Sequence, residues 1–227
     1  MASSGAVGDS EQVIGTGAEA VLVKATWFGR ACLIKKRLPK LYRLPALDAM
    51  LRQQRTLGEV RALIDAKHCG VPTPPVFEVD AEQGFITMDF IEGQTLKQLL
   101  PSLSIDEVRE SFVQVGHYVG LLHKGSIIHG DLTTSNILVT PQNKLVFIDF
   151  GLSQRSASLE DQGVDVHLLK RVLTSTHGSI AEIAYQAFIE GYGEMGPHTP
   201  EEINHRVTAI ELRGRYIKKE ERQKRFY

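Results

Sequence analysis

Cysteine is scarce: Cys32 and Cys69 are the two in 227 residues, and neither belongs to a CxxC or Cys/His spacing. Neither a disulfide framework nor a zinc site is indicated, and a reducing compartment is the simplest inference. Apolar runs approaching the ~20 residues that span a bilayer are missing. The start of the chain, Met1 to Glu11, lacks the basic-then-apolar order of a secretory signal, so the expected location is cytoplasm and nucleus. Internal repeats and low-complexity segments are absent. Few aromatics interleave the basic residues, which speaks against base stacking as the main activity.

What is present is a chain 42% hydrophobic, enough to bury a core as one domain or as two lobes sharing a cleft. The formal net charge of −1 hides a segregation, since Lys24 to Arg55 is strongly basic and the last fifteen residues are basic again. Phosphate-bearing partners are therefore worth considering.

Residues 13–35 alternate apolar and polar positions around Gly15, Gly17 and Gly29, which predicts three short antiparallel strands with a glycine turn at the first corner. From Leu47, the positions Leu51, Leu57, Val60 and Ile64 predict a helix that Gly70 and Pro72 end. Two strands follow, Pro75 to Val79 and Phe85 to Phe90, around an Ala81-Glu82-Gln83-Gly84 turn. After Gly93 the character changes. A Ser104-x-x-Glu107 capping box opens a long helix striped by Ile105, Val108, Phe112, Val115, Val119 and Leu122. The remainder reads as mainly helical, apart from short strands at Ile137–Val139 and Lys144–Ile148 joined by Pro141-Gln142-Asn143. Thr199-Pro200-Glu201-Glu202 opens a last helix that is expected to run into the basic tail. The fold class expected is α+β with two lobes: a tail at 1–12, a sheet-rich lobe at 13–88, a helical lobe at 89–212 and a basic tail at 213–227.

The chemistry concentrates in His129-Gly130-Asp131-Leu132-Thr133-Thr134-Ser135-Asn136, followed by two strands and Asp149-Phe150-Gly151. Taken singly, these are turn formers and a strand end. Together, in this order, they resemble a protein-kinase catalytic loop and magnesium motif. The resemblance implies ATP and magnesium as cofactors, with Asp131 as catalytic base and Asn136 and Asp149 holding the metal. Leu33-Ile34-Lys35 is similar to the kinase strand lysine that pairs with phosphates. Lys36 is its decoy, and Arg37 would share Lys35's strand face. Glu59 is the candidate partner of Lys35, the alternative being a surface pair with Arg55 one turn earlier. Gly15-Thr16-Gly17-Ala18-Glu19-Ala20 resembles a glycine-rich phosphate loop, or else forms a plain hairpin turn; glycine matters there because backbone amides must approach phosphate oxygens. Met88-Asp89-Phe90-Ile91 looks like the segment between the lobes, where the backbone of Asp89 and Ile91 would meet adenine.

Gly130 stands where most kinases carry an arginine, so switching by loop phosphorylation is not expected. Thirteen residues separate Gly151 from Asp165, and no Ala-Pro-Glu follows, so the usual peptide platform is largely missing. These departures form a pattern of their own: Gly17-Ala-Glu-Ala, Ile34-Lys-Lys-Arg-Leu-Pro-Lys with Tyr42-Arg43, Arg55-Thr-Leu-Gly-Glu59, the Thr-Thr-Ser insertion, Gly163-Val-Asp165, Ser175-Thr-His177 and Leu212-Arg-Gly-Arg215. Over residues 13–216 this resembles the PRPK family, the small kinase subunit of the KEOPS complex that makes threonylcarbamoyladenosine in tRNA. The resemblance implies a serine/threonine kinase or ATPase, with the threonylcarbamoyl transferase and other KEOPS subunits as partners. It also implies that Asp165 is a buried carboxylate bracing the catalytic loop; a helix amino-terminal charge is the plainer reading. The tail from Arg213 to Arg225 holds seven Lys/Arg against Glu220 and Glu221. Arg213, Arg215, Lys218 and Lys219 are its candidates for tRNA or partner contact, a solvated helix end being the alternative. The competing functions are a pseudokinase scaffold, an RNA-binding subunit and a small-molecule phosphotransferase.

Overall fold

The computed structural model describes residues 11–17 and 19–224, with side chains as far as Arg213. Ala18 and most of the expected amino-terminal tail, residues 1–10, lie outside the described residues.

The first lobe is a five-stranded antiparallel sheet. Its strands are β1 (Gln12–Thr16), β2 (Ala20–Trp27), β3 (Arg30–Arg37), β4 (Val76–Asp80) and β5 (Phe85–Asp89), in the order β1-β2-β3-β5-β4. β1 begins one residue inside the stretch expected to be a tail. On β3 the strand alternation buries Lys35 and Arg37 and leaves Lys36 between them exposed.

Helix α1 (Pro45–His68) crosses this sheet, with proline at its first turn and Gly70, at φ +87°, turning the chain after its end. The expected apolar stripe is only partly the buried face. Val60 is buried, but Ile64 is 43% exposed, and the residues that accompany Val60 inward are Thr56, Glu59, Leu63 and Ala66. The face is half polar because it meets charged groups on β3 as well as the apolar sheet.

The chain crosses to the second lobe through residues 90–93. There β6 (Gln94–Thr95) and α2 (Leu96–Leu99) lead to α3 (Ile105–Lys124). The Ser104 box forms as expected: Glu107 N donates to Ser104 Oγ at 3.3 Å and Ser104 N to Glu107 Oε2 at 2.7 Å. β7 (Ile127–Ile128), β8 (Ile137–Val139), β9 (Leu145–Phe147) and β10 (Gln154–Arg155) are short. β8 pairs with β6 and β9, and β10 pairs with β7. Asn143, at φ +57°, makes the tight turn between β8 and β9.

Three helices complete the lobe: α4 (Leu159–Thr176), α5 (Ala181–Met195) and α6 (Pro200–Lys224). Thr199 caps α6, accepting from Glu202 N at 3.3 Å. The helix runs on past residue 213, so the backbone has no break where lobe and tail were expected to part. The core lies between α3, α5 and the small strands, around Phe112, Val115, Phe147, Phe150, Phe188 and Tyr192. Among the described residues no helix is long and apolar enough to cross a membrane.

Candidate active site

The loop between β7 and β8 and the turn after β9 face β3 and α1 across the gap between the lobes. At their meeting point Lys35 Nζ lies 2.6 Å from Glu59 Oε1 and 2.7 Å from Asp149 Oδ1. Glu59 is 2% exposed, and its Oε2 accepts from Arg37 Nη2 at 2.6 Å. The alternative of a surface pair with Arg55 does not occur, because Arg55 reaches instead to Glu19 beside the glycine-rich turn. Two buried cations on one buried carboxylate keep the group neutralised, as a charge in a low-dielectric site requires.

Asp149 adopts φ +60°, an uncommon conformation that aspartate tolerates better than most side chains. Burial pulls its carboxyl upward, but the Lys35 ammonium outweighs that and holds it below the usual carboxylate range. Its Oδ1 takes Lys35 and the Gly151 N–H at 3.3 Å. No hydrogen bond from the described residues reaches Oδ2.

Asn136 Nδ2 donates to the Asp131 carbonyl at 2.9 Å and to Asp131 Oδ2 at 2.8 Å. With both amide hydrogens engaged, the side-chain oxygen of Asn136 remains as a ligand atom. The loop itself is braced from below by Asp165, 2% exposed within α4. Asp165 accepts from His129 N at 2.9 Å and Gly130 N at 3.0 Å, with His123 Nε2 at 3.3 Å. It lies too far along α4 to be an amino-terminal charge. His129 accepts from Asp131 N at Nδ1 (3.3 Å) and faces the Ile148 carbonyl with Nε2 (3.2 Å), a pattern that fits the neutral Nε2–H tautomer. Complete burial pushes its imidazole below the ordinary value.

Two cavities share Leu22, Lys35 and Asp149 and together form one cleft. The first, about 590 Å³, is lined by Gly15, Thr16, Gly17, Glu19, Lys35, Arg37, Asp131 and Asp149. The second, about 400 Å³, is mainly apolar and runs past Leu33, Met88, Asp89, Phe90 and Ile91 to Asn136. The first brings the cations Lys35 and Arg37 beside the carboxylates Glu19, Asp131 and Asp149. Asp89 N donates to the Pro75 carbonyl at 2.8 Å, so this amide is already engaged by the protein. A Cβ at Gly15 or Gly17 would meet only ordinary contacts, at 3.5 Å and 3.6 Å, so neither glycine is demanded by crowding within the chain.

The chain is similar to known proteins along nearly all its length. The protein kinase domain family matches residues 9–179. The KEOPS complex subunit Bud32 of Pyrococcus abyssi is 45% identical over 81% of this chain and 84% of its own. The EKC/KEOPS complex subunit bud32 of Dictyostelium discoideum is 36% identical over 89% and 82%. The chain belongs to the Bud32 family of protein kinase domains. A probable bifunctional tRNA threonylcarbamoyladenosine biosynthesis protein of Methanothermobacter thermautotrophicus is 40% identical to this Bud32-family chain, which spans 36% of that longer protein. Among solved structures, the Rio2 kinase–ADP/Mg2+–phosphoaspartate complex from Chaetomium thermophilum superposes with a TM-score of 0.61 over 93% of this chain and 72% of that one. At 16% identity that likeness concerns the fold.

Several contacts that support the Bud32-family fold around the cleft escaped the sequence reading. Asp48, 3% exposed, gathers Arg52 Nε at 2.8 Å, Lys40 N at 3.2 Å and Arg43 Nη1 at 3.5 Å, which gives the Lys40 and Tyr42-Arg43 pattern a structural use. Thr134 Oγ1 and His177 Nε2 meet at 3.1 Å, joining the Thr-Thr-Ser and Ser-Thr-His motifs beneath the loop. In the tail, Arg213 pairs with Glu160 at 2.9 Å. Arg215, Lys218 and Lys219 lie on the described backbone of α6, and their side chains lie outside the described residues.

Proposed function

We propose that this chain is an ATP- and magnesium-dependent atypical serine/threonine protein kinase or ATPase. In this reading it works as a subunit of a KEOPS-type assembly, beside the threonylcarbamoyl transferase, in forming threonylcarbamoyladenosine on tRNA. The observation that carries the enzymatic part is the convergence of Lys35, Glu59 and Asp149 opposite the Asp131–Asn136 pair. The assembly rests on the relatives named as KEOPS subunits, which align over more than four-fifths of this chain and of their own.

Lys35 has three N–H donors and two are taken, by Glu59 and Asp149, which leaves one for a phosphate oxygen. The Asn136 side-chain oxygen and Asp149 Oδ2 are hard ligands of the kind magnesium prefers, and this donor set fits a metal shared with phosphates better than an all-protein cage. Magnesium, when bound, supplies neutralisation of the triphosphate's charge. Asp131, fixed by Asn136 below and His129 behind, presents its Oδ1 to orient a hydroxyl or water and to receive its proton. The apolar cavity beside Met88 and Ile91 takes the base. Only residues 152–158 connect Asp149-Phe150-Gly151 to α4, so recognition of a protein acceptor falls to a partner or the tail.

The test is magnesium-dependent ATP turnover by the purified chain, alone and with a transferase partner. Replacing Asp149 by Ala should lower turnover at least about a hundredfold, since metal-assisted charge stabilisation amounts to several kcal/mol, while unfolding stays cooperative. Full residual turnover in that variant refutes the assignment.

A further inference from the structure

Glu59 offers one carboxylate to two cations: Oε1 meets Lys35 Nζ and Oε2 meets Arg37 Nη2, each at 2.6 Å. Side-chain exposure is 10% for Lys35, 6% for Arg37 and 1% for Glu59. The other edges of the Arg37 guanidinium are poorly matched. Nη1 stands 3.5 Å from Glu19 Oε2, too far for a strong hydrogen bond, and Nε is sealed from solvent with no partner among the described residues.

The position of Arg37 suggests a use for the weakly held Nη1. A Cβ on Gly151 would come within 3.2 Å of Arg37 Nη2, so the guanidinium rests against the Asp149-Phe150-Gly151 turn. It lines the same cavity as Lys35, Asp131, Asp149 and the glycine-rich turn. Glu19, at the edge of that turn, is 43% exposed and bonded to Arg55 from α1, a partner that can keep it if Arg37 lets go.

We propose that Arg37 is a specificity-determining residue that reads the terminal phosphate of a nucleoside triphosphate. Glu19 is the internal anion that this phosphate displaces. The inference rests on the reading of the cleft as an ATP site. The step is an exchange of anions at Nη1 and involves no covalent change. A phosphate oxygen carries more charge than a carboxylate oxygen and can approach Nη1 more closely than Glu19 does at 3.5 Å, so it wins the exchange. A diphosphate ends one group earlier and leaves Glu19 where it is. Arg37 therefore separates triphosphate from diphosphate, a task that Lys35 does not perform in this scheme.

The experiment is calorimetric titration of the whole chain with Mg-ATP and with Mg-ADP, for the parent, Glu19→Gln and Arg37→Lys. Glu19→Gln removes the competing charge and should tighten ATP about fivefold while leaving ADP within about twofold. Arg37→Lys keeps the charge on Glu59 balanced but loses the Nη1 donor, and should weaken ATP about tenfold with ADP again little changed, as for one charge-assisted hydrogen bond. Equal shifts for both nucleotides, or an unaltered ratio in both variants, overturn this inference alone and make Arg37 a brace for Glu59. Binding of neither nucleotide by the parent chain overturns the reading of the cleft and this inference with it. Should Arg37→Lys fold poorly, the half-exposed Glu19→Gln decides by itself.

Discussion

Gly130 shows how a substitution in a motif acquires its reason from the fold. Most kinases have an arginine there, and the sequence shows only the exchange. In the structure Gly130 has φ +80°, and a Cβ on it would lie 2.2 Å from the Leu152 carbonyl oxygen. The segment after Gly151 passes directly over it, because β10 returns at once to pair with β7. Glycine is thus required by a short connection, beyond the loss of a phosphate-binding charge. Replacing Gly130 by Ala should cost at least about 1–3 kcal/mol from the left-handed backbone, and the overlap with Leu152 adds to that. Urea unfolding measures it; an unchanged midpoint would contradict the close approach. Lys35, Asp131, Asn136 and Asp149 were legible because each lies in a motif of fixed local wording. Arg37 was noticed as sharing a strand face with Lys35, yet its bond to Glu59 could not be read from that face alone.

Helices α3 and α5 meet through glycine on both sides. A Cβ on Gly116 would stand 2.1 Å from the Phe188 carbonyl oxygen, and one on Gly191 2.0 Å from that of Val113. Alanine in a helix interior is favoured over glycine by about 1 kcal/mol. Here that gain is outweighed, because the overlap falls on backbone, which has no rotamer to change, and the helices must move apart around Phe112 and Phe188. Gly191→Ala should therefore be net destabilising by about 2 kcal/mol, or roughly 4–8 °C in thermal midpoint by calorimetry. Capping boxes at Ser104 and Thr199 were legible, being interactions within one turn. The buried face of α1 was not. Its apolar spacing pointed to Ile64, whereas the helix turns Thr56 and Glu59 inward, and Glu59 meets Lys35 and Arg37 on β3.

For the molecule as a whole, several buried titratable groups push stability the same way with pH. Burial holds the His129 imidazole below its ordinary 6.5, and His167 and His177 are displaced likewise. The unfolded chain therefore takes up these protons first. The associated stability is complete above about pH 6.5 and is lost as pH falls towards the folded-state values. Burial raises Asp165, but bonds from His123 and the His129 backbone outweigh it, and Lys35 does the same for Asp149; both carboxyls lie below the ordinary 3.8. Their contribution persists above that value and disappears as pH falls through the lowered ones. Urea midpoints should decline from near neutrality downward and again more steeply in acid. A midpoint that rises between pH 7 and 5 would contradict the neutral, buried His129 that holds the Asp131 backbone.

The chain's local wording was enough to mark the candidate site residues and most of the elements, because turn residues, caps and strand alternation act over a few neighbouring positions. Which charges share which partner was decided only when the lobes met. Lys35 and Asp149 are 114 positions apart, and Thr134 and His177 are 43 apart. No periodicity reports contacts at such separations. Glu59 serving two cations has its own cause: burial leaves a charge no solvent to turn to, so the fold must bring its partners from another element.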